Sequence, residues 1–201
     1  MKPAVLCVTR DLLPKGEGLI PFSINSIPNN HFHFINRSVA DIKAEENENL
    51  FHVAKNLPQI LGYVVIKCGE EYLTYSRKKG AEARLHGSLS IGFGGHVDIT
   101  DFGEEGYKGA LISSTERELK EELNLEVILS EDSFKNLLVD LKNSVGEVHV
   151  GLPLIIEIDD KDFITTDLNE ISSPLWVLKE DLVKDVNQFE NWSQILIESF
   201  I

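Results

Sequence analysis

Cysteine is scarce in this chain: two residues, Cys7 and Cys68, among 201. Each lies inside an apolar stretch, so a disulfide framework is excluded as the basis of the fold. Buried free thiols are expected instead, which suits a reducing cytoplasm. Long hydrophobic runs are missing as well. No apolar segment approaches the ~18 residues that a membrane-spanning helix needs, and Met1 to Arg10 holds too short an apolar stretch for a secretory signal. A cytoplasmic location away from any membrane is therefore expected. There is no internal repeat and no low-complexity tract. Positive charge is in deficit, with 19 basic residues against 33 acidic ones and a formal charge of −14. So acidic a surface repels phosphate backbones, and no nucleic-acid partner is expected. A small anionic substrate is a different case, because a bound divalent cation reverses the field inside one cleft.

What remains is an ordinary globular chain, 42% hydrophobic and 26% charged, of a length that suits one domain with a real core. Ala4 to Thr9 reads as a short apolar strand. Residues 11 to 48 are rich in turn formers, among them Pro14, Gly16, Gly18, Pro21, Pro28, Asn29 and Asn30. The charged run Asp41 to Asn49 reads as a solvated turn or the start of a short helix. A boundary is expected near residue 56, dividing an N-terminal extension (1–56), packed on the same domain, from a main domain (57–201). The middle is β-rich: Ile60 to Lys67 and Tyr72 to Ser76 form a hairpin across Cys68-Gly69-Glu70-Glu71. A basic loop with Arg77, Lys78, Lys79 and Arg84 follows, then a strand from Ser88 to Phe93. Further strands are expected at Glu126–Leu129, Leu137–Leu141 and Val148–Ile158. One or two amphipathic helices fill Lys179 to Phe200, with Phe189 and Trp192 packing the last of them onto the body. Mixed strands with few helices predict an α+β domain.

The clearest helix is Ala110 to Leu123, whose core reads Arg117-Glu118-Leu119-Lys120-Glu121-Glu122-Leu123. At about 100° per residue, Glu121, Glu118 and Glu122 lie roughly 40°, 100° and 140° round from Arg117. Ile112, Thr115, Leu119 and Leu123 fall on the next sector, so one face can pack on a sheet while three carboxylates converge beside it. Arg117 and Glu121 are i,i+4 partners. Adjacent carboxylates repel unless something compensates, and a hard cation such as Mg2+ takes oxygen ligands of this kind, shared with substrate phosphates. Such an ion can polarise a phosphoryl oxygen and activate water. The same composition also suits a solvated helix face. What shifts the balance is upstream: Ser88 to Phe93 runs into Gly94-Gly95, and glycines allow the backbone close to a metal or phosphate.

Together the glycine turn and the helix resemble the Nudix hydrolase family, whose signature is G-x5-E-x7-R-E-U-x-E-E-x-G-U, with U aliphatic. Gly95 matches the opening glycine, Arg117 to Glu122 the central block, and Leu125 the closing aliphatic position. More loosely, the likeness runs over residues 57 to 182, ending at the tryptophan-containing Leu175 to Leu182. Three departures stand out. The loop from Gly95 to Arg117 holds eight residues more than the consensus, the first box glutamate is replaced by Gly109, with Glu104 and Glu105 nearby as substitutes, and the box glycine is Asn124, which tolerates a left-handed helix cap.

The resemblance implies a Nudix-type α/β/α sandwich with a mixed sheet, plus N- and C-terminal additions. It implies hydrolysis of a pyrophosphate bond in a nucleoside diphosphate linked to another moiety, with Mg2+ as cofactor and Mn2+ as a substitute. The metal residues would be Glu118, Glu121 and Glu122, helped by a carbonyl of Gly94 or Gly95. Arg117 would orient Glu118 or Glu121, and Glu147 would be the base from a later loop, against the alternative of an ordinary strand-start glutamate. Arg84, Arg77 and His96 are candidate substrate contacts. His149, in a half-buried strand, reads as a hydrogen-bonded core histidine. The expected partner is a small diphosphate-containing substrate, and a homodimer is compatible with the sequence. Two rival functions are a non-catalytic nucleotide-sensing module of the same fold, favoured by Gly109, and an isopentenyl-diphosphate isomerase. The isomerase would need a cysteine near the glycine turn, where neither Cys7 nor Cys68 lies.

Overall fold

A computed structural model describes residues 3–77, 88–167 and 171–201, with Arg77 and Phe163 described by backbone alone. The expected substrate contact Arg84, and the side chain of Arg77, lie outside the described residues. The N-terminal segment carries β1 (Ala4–Val8), β2 (Gly18–Pro21), β3 (Phe32–Asn36), a single helical turn α1 (Arg37–Ala40) and α2 (Glu48–Asn56). The central strands are β4 (Gln59–Cys68), β5 (Glu71–Arg77) and two short pieces, β6 (Leu89–Ser90) and β7 (Gly92–Phe93). Then come the long helix α3 (Gly106–Leu123), β8 (Asn136–Val139), β9 (His149–Glu157), β10 (Ile171–Leu178), α4 (Lys179–Lys184) and α5 (Asn191–Phe200).

The strands form one mixed sheet in the order β10-β5-β4-β9-β8-β2. Its spine is the parallel pair β4 and β9, in register from Gln59↔His149 to Lys67↔Glu157. The other edge of β4 is shared by three short antiparallel partners: β1 at Gln59, β7 at Val64 and Val65, and β5 at Lys67 and Cys68. The expected strand from Ser88 to Phe93 is split at Ile91, so that β6 pairs with β5 and β7 with β4. This crossing is what carries the chain from the hairpin to the start of Gly94-Gly95.

Because side chains alternate along a strand, β4 serves both faces. Val64 and Ile66 pack with Leu119 and Leu123 of α3, while Tyr63 and Val65 pack with Leu182, Leu196 and Ile197 of α4 and α5. Helices thus cover both faces of the sheet, which is the α+β Nudix-type sandwich the sequence implies. The Tyr63 hydroxyl anchors α5 through Glu190 (2.7 Å) and Ser193 (2.8 Å), and its ring meets Trp192 edge-on. A third cluster joins Leu6, Val8, Leu13, Ile24, Ile27 and Phe32 of the N-terminal segment to Ala110 and Leu111 of α3.

Two expectations need correction. Glu126 to Leu129 joins no ladder, and the Leu129 amide donates to the Glu116 side chain (2.7 Å) rather than to another strand. The turn-rich stretch 11–48 holds two strands as well as turns. β2 pairs with β8, and β3 with β1. Among the described residues no helix is long and apolar enough to cross a membrane.

Candidate active site

The site is built where β7 runs into α3. Gly94 has φ +137°, and a Cβ there would lie 2.4 Å from the Gly62 carbonyl oxygen, so a side chain at this position meets backbone on β4. A Cβ on Gly95 would lie 2.4 Å from Glu118 Oε1, which places the Glu118 carboxylate directly over the glycine turn. The Gly94 amide donates to Glu122 Oε2 (3.2 Å). Two carboxylates one helical turn apart therefore close on the same two glycines.

The helix is held at this approach by small residues on its buried face. Thr115 sits against Gly62, where an added Cβ would lie 2.4 Å from its Oγ1, and Thr115 Oγ1 itself donates to the Leu111 carbonyl (2.8 Å). Leu119 and Leu123 are fully buried beneath. The helix ends at Asn124, whose φ of 52° and ψ of 27° are left-handed, with its amide donating back to Leu119 and Lys120 carbonyls. Asparagine tolerates that conformation better than other non-glycine residues, so the replaced box glycine keeps its cap geometry.

Arg117 is the organising cation. Its Nη1 donates to Glu118 Oε1 (2.8 Å) and Glu121 Oε2 (3.1 Å), and its Nη2 reaches the His96 carbonyl (3.4 Å). Its other side is gripped by Asp101 through Nε–Oδ1 (2.9 Å) and Nη2–Oδ2 (3.1 Å). This paired contact is the largest of the influences that raise the guanidinium pKa above its ordinary value; burial opposes it and Glu118 adds to it. Asp101 belongs to the enlarged loop, in a short 3-10 turn where its carboxylate also accepts from the Asp98 amide (2.9 Å). The insertion thus folds under the helix and supplies the partner of Arg117. Sequence reasoning missed Asp101, although Asp98-x-x-Asp101 directly after the turn is a capping pattern.

The structure therefore brings Gly94, Gly95, His96, Arg117, Glu118, Glu121 and Glu122 together. Glu121 is the most open of the carboxylates, with 59% of its side chain exposed against 18% for Glu118. Glu147 is engaged elsewhere: it lies in the turn before β9, its carboxylate pairs with Lys55 (2.5 Å), and its carbonyl accepts from Arg10 (2.5 Å). At the replaced box position, a Cβ on Gly109 would lie 2.4 Å from the Glu105 Cβ, so Glu105, one turn earlier, fills that space. Hard oxygen donors from two turns of a helix, closing on a glycine turn, fit a divalent cation of the Mg2+ type.

No protein-family model matches this sequence. Protein YmaB of Bacillus subtilis (strain 168) is 34% identical over 147 residues, 70% of this chain and 69% of that protein. Among solved structures, Tm1382, described as a candidate Nudix hydrolase, superposes with a TM-score of 0.70 at 22% identity over 97% of this chain and 96% of its own. A NUDIX-family hydrolase from Clostridium perfringens covers 69% of this chain and 92% of its own at 20% identity and a TM-score of 0.44. The likeness to Tm1382 takes in the N-terminal segment, so those strands are part of a shared fold. The chain belongs to one family with Protein YmaB, and its fold is the Nudix fold.

Proposed function

We propose that this chain hydrolyses the pyrophosphate bond of a nucleoside diphosphate linked to another moiety. The observation that carries the reading is the closure of Glu118 and Glu122 on Gly94 and Gly95. A helix whose acidic face served only solubility would have no reason to turn two of its carboxylates onto a backbone turn. Glu118, Glu121 and Glu122, with a carbonyl of Gly94 or Gly95, would hold Mg2+, or Mn2+ in its place. When bound, that ion supplies charge neutralisation for the diphosphate and a lowered pKa for water.

The protein's own part is positioning. Arg117 fixes the rotamers of Glu118 and Glu121, and Asp101 fixes Arg117, so the carboxylates need little rearrangement to act. Glu121, the open one, is the group best placed to meet substrate. Glu147 would have to leave Lys55 to serve as general base, and Arg84 and Arg77 are the candidates for gripping phosphates, since the His96 ring stands against His149 and only its carbonyl meets Arg117.

The test is a turnover screen of the purified chain. ADP-ribose, NADH, UDP-sugars, dinucleoside polyphosphates and nucleoside triphosphates would be incubated with Mg2+ and then with EDTA, with products separated to identify the cleaved bond. Metal-dependent cleavage is expected, and Glu121→Gln or Glu122→Gln should abolish it with the fold intact. Full activity in both variants would sink the assignment. Glu147→Gln should lower kcat by about 10²–10⁴ if Glu147 is the base, and by little if it only tethers Lys55. Tight nucleotide binding without turnover, and indifferent to metal, would favour the sensing module instead.

A further inference from the structure

Next to the glycine turn, three segments meet at a second set of potential ligands. Asp41, at the end of α1, His96, next after Gly95, and His149, the first residue of β9, each offer one ligand atom, and these atoms lie within 4.8 Å of one another. His149 is buried, and the two imidazole rings stand edge to face with centroids 5.7 Å apart. We infer that Asp41, His96 and His149 form a binding site for an imidazole-preferring divalent transition metal, of which Zn2+ is the type, separate from the carboxylate site on α3.

The donor set fits that class. Two imidazoles and one carboxylate make a three-ligand set with a fourth place for water or an anion, whereas Mg2+ prefers oxygen alone. The surroundings orient the ligands. His149 Nδ1 lies 2.8 Å from the Val145 carbonyl, which can only accept, so Nδ1 carries the proton and Nε2 the lone pair. A metal-bound histidine is commonly fixed by a backbone carbonyl in this way. Asp41 Oδ1 accepts from the buried amide of Gln59 (3.0 Å) and Oδ2 from Arg37 (3.2 Å). Burial alone would raise the Asp41 carboxyl, but Gln59, His96, Arg37 and His149 together outweigh it and hold its pKa below the ordinary value.

The consequence is a link between parts of the chain far apart in sequence. One ion would tie the end of α1 to the residue beside Gly95 and to the start of β9, fixing the turn on which Glu118 and Glu122 close. It would also set the N-terminal segment against the main sheet. Arg37, which donates to Asp41 Oδ2, is a cation that a metal would have to tolerate, and it provides a control.

The full chain would be titrated with Co2+ as a spectroscopic probe for Zn2+, in the presence of excess Mg2+. One equivalent should bind with the visible absorption of a nitrogen-ligated site, and Zn2+ should displace it. Binding should weaken at least 10-fold in His149→Gln and in Asp41→Asn, tighten in Arg37→Gln, and persist in Glu118→Gln. In the wild type, which does not depend on any variant folding, Zn2+ should shift the NMR signals of the His96 and His149 rings. Unshifted rings, or Co2+ binding that excess Mg2+ competes away or that fails in Glu118→Gln, would overturn the inference. None of these readouts depends on turnover, so a failure of the hydrolase reading is told apart from a failure of this one.

Discussion

Arg117 shows how far a single residue can be read in advance. Its i,i+4 relation to Glu121 and its place beside Glu118 follow from helix geometry, and both contacts are present. Its third partner, Asp101, comes from a loop whose path no helical period describes, so spacing does not reveal it. Asp101 acts on the carboxylates only through Arg117. In Asp101→Asn we expect activity to fall about 10–100-fold, as second-sphere substitutions do, with a matching rise in the Mg2+ concentration needed for half-maximal rate. A change in thermal stability with no change in metal requirement would reduce Asp101 to a structural anchor. A second residue-scale prediction concerns Cys7. Burial first, and the nearby charge of Asp41 second, push its thiol from 9.0 up to about 12. A thiol whose folded pKa is raised contributes stability that is whole below pH 9 and lost as pH climbs towards 12, because the unfolded chain releases its proton first. The loss is up to about 4 kcal/mol. Denaturant midpoints from pH 8 to 11 should fall more steeply for the wild type than for Cys7→Ala, whose lost packing is a pH-independent offset. Parallel slopes would mean that Cys7 does not stay protonated in the fold.

At the scale of elements, periodicity served where a face is buried and failed where strands are short. Spacing alone puts Ile112, Thr115, Leu119 and Leu123 on the sheet-facing side of α3, and Thr115, Leu119 and Leu123 are buried there. By contrast β2 has only four residues, one of them Pro21, and β3 offers Phe32-His33-Phe34-Ile35-Asn36 amid turn formers. Neither shows enough alternation to stand out, and their pairing with β8 and β1 is non-local. The glycine turn is the element with the sharpest consequence. Gly94 and Gly95 have different reasons to be glycine, and the two should separate by experiment. An alanine methyl at Gly94 meets the Gly62 carbonyl at 2.4 Å on a backbone with φ +137°. Neither can yield cheaply, so Gly94→Ala should cost about 1–3 kcal/mol of stability or more. At Gly95 the methyl meets the far end of the Glu118 side chain, which can swing aside. Gly95→Ala should therefore melt close to the wild type while losing most of its metal-dependent turnover. Equal destabilisation by both substitutions would show that the Glu118 carboxylate is as rigidly placed as the backbone.

Over the whole molecule, the expected division at residue 56 meets a core that crosses it. Leu6, Val8, Leu13, Ile24, Ile27 and Phe32 lie in one cluster with Ile60, Val97, Ala110, Leu111 and Val150. The Leu6 amide donates to the Val97 carbonyl (2.9 Å) and the Val8 amide to Pro58 (3.0 Å), so β1 also satisfies backbone that the main sheet would otherwise leave bare. Full burial of each such side chain is worth about 1.5–3 kcal/mol, and six of them exceed or rival the ~5–15 kcal/mol by which a domain is stable. The sequence hid this because Ile24 and Ile27 are single apolar residues and Leu13 belongs to an isolated Leu12-Leu13 pair, all among turn formers, with no period to mark them as core. A chain beginning at residue 57 is therefore expected to lose cooperative unfolding, seen as a broad, featureless thermal transition and poorly dispersed amide NMR signals. Supplying residues 1–56 as a separate peptide should restore part of the transition, since the lost contacts are side-chain packing and β1 pairing rather than chain connectivity. If residues 57–201 alone melted sharply, the N-terminal segment would be an addition on an independent domain. Its contacts with Ala110 and Leu111 would then matter for placing α3, and its loss would be read in activity instead of stability.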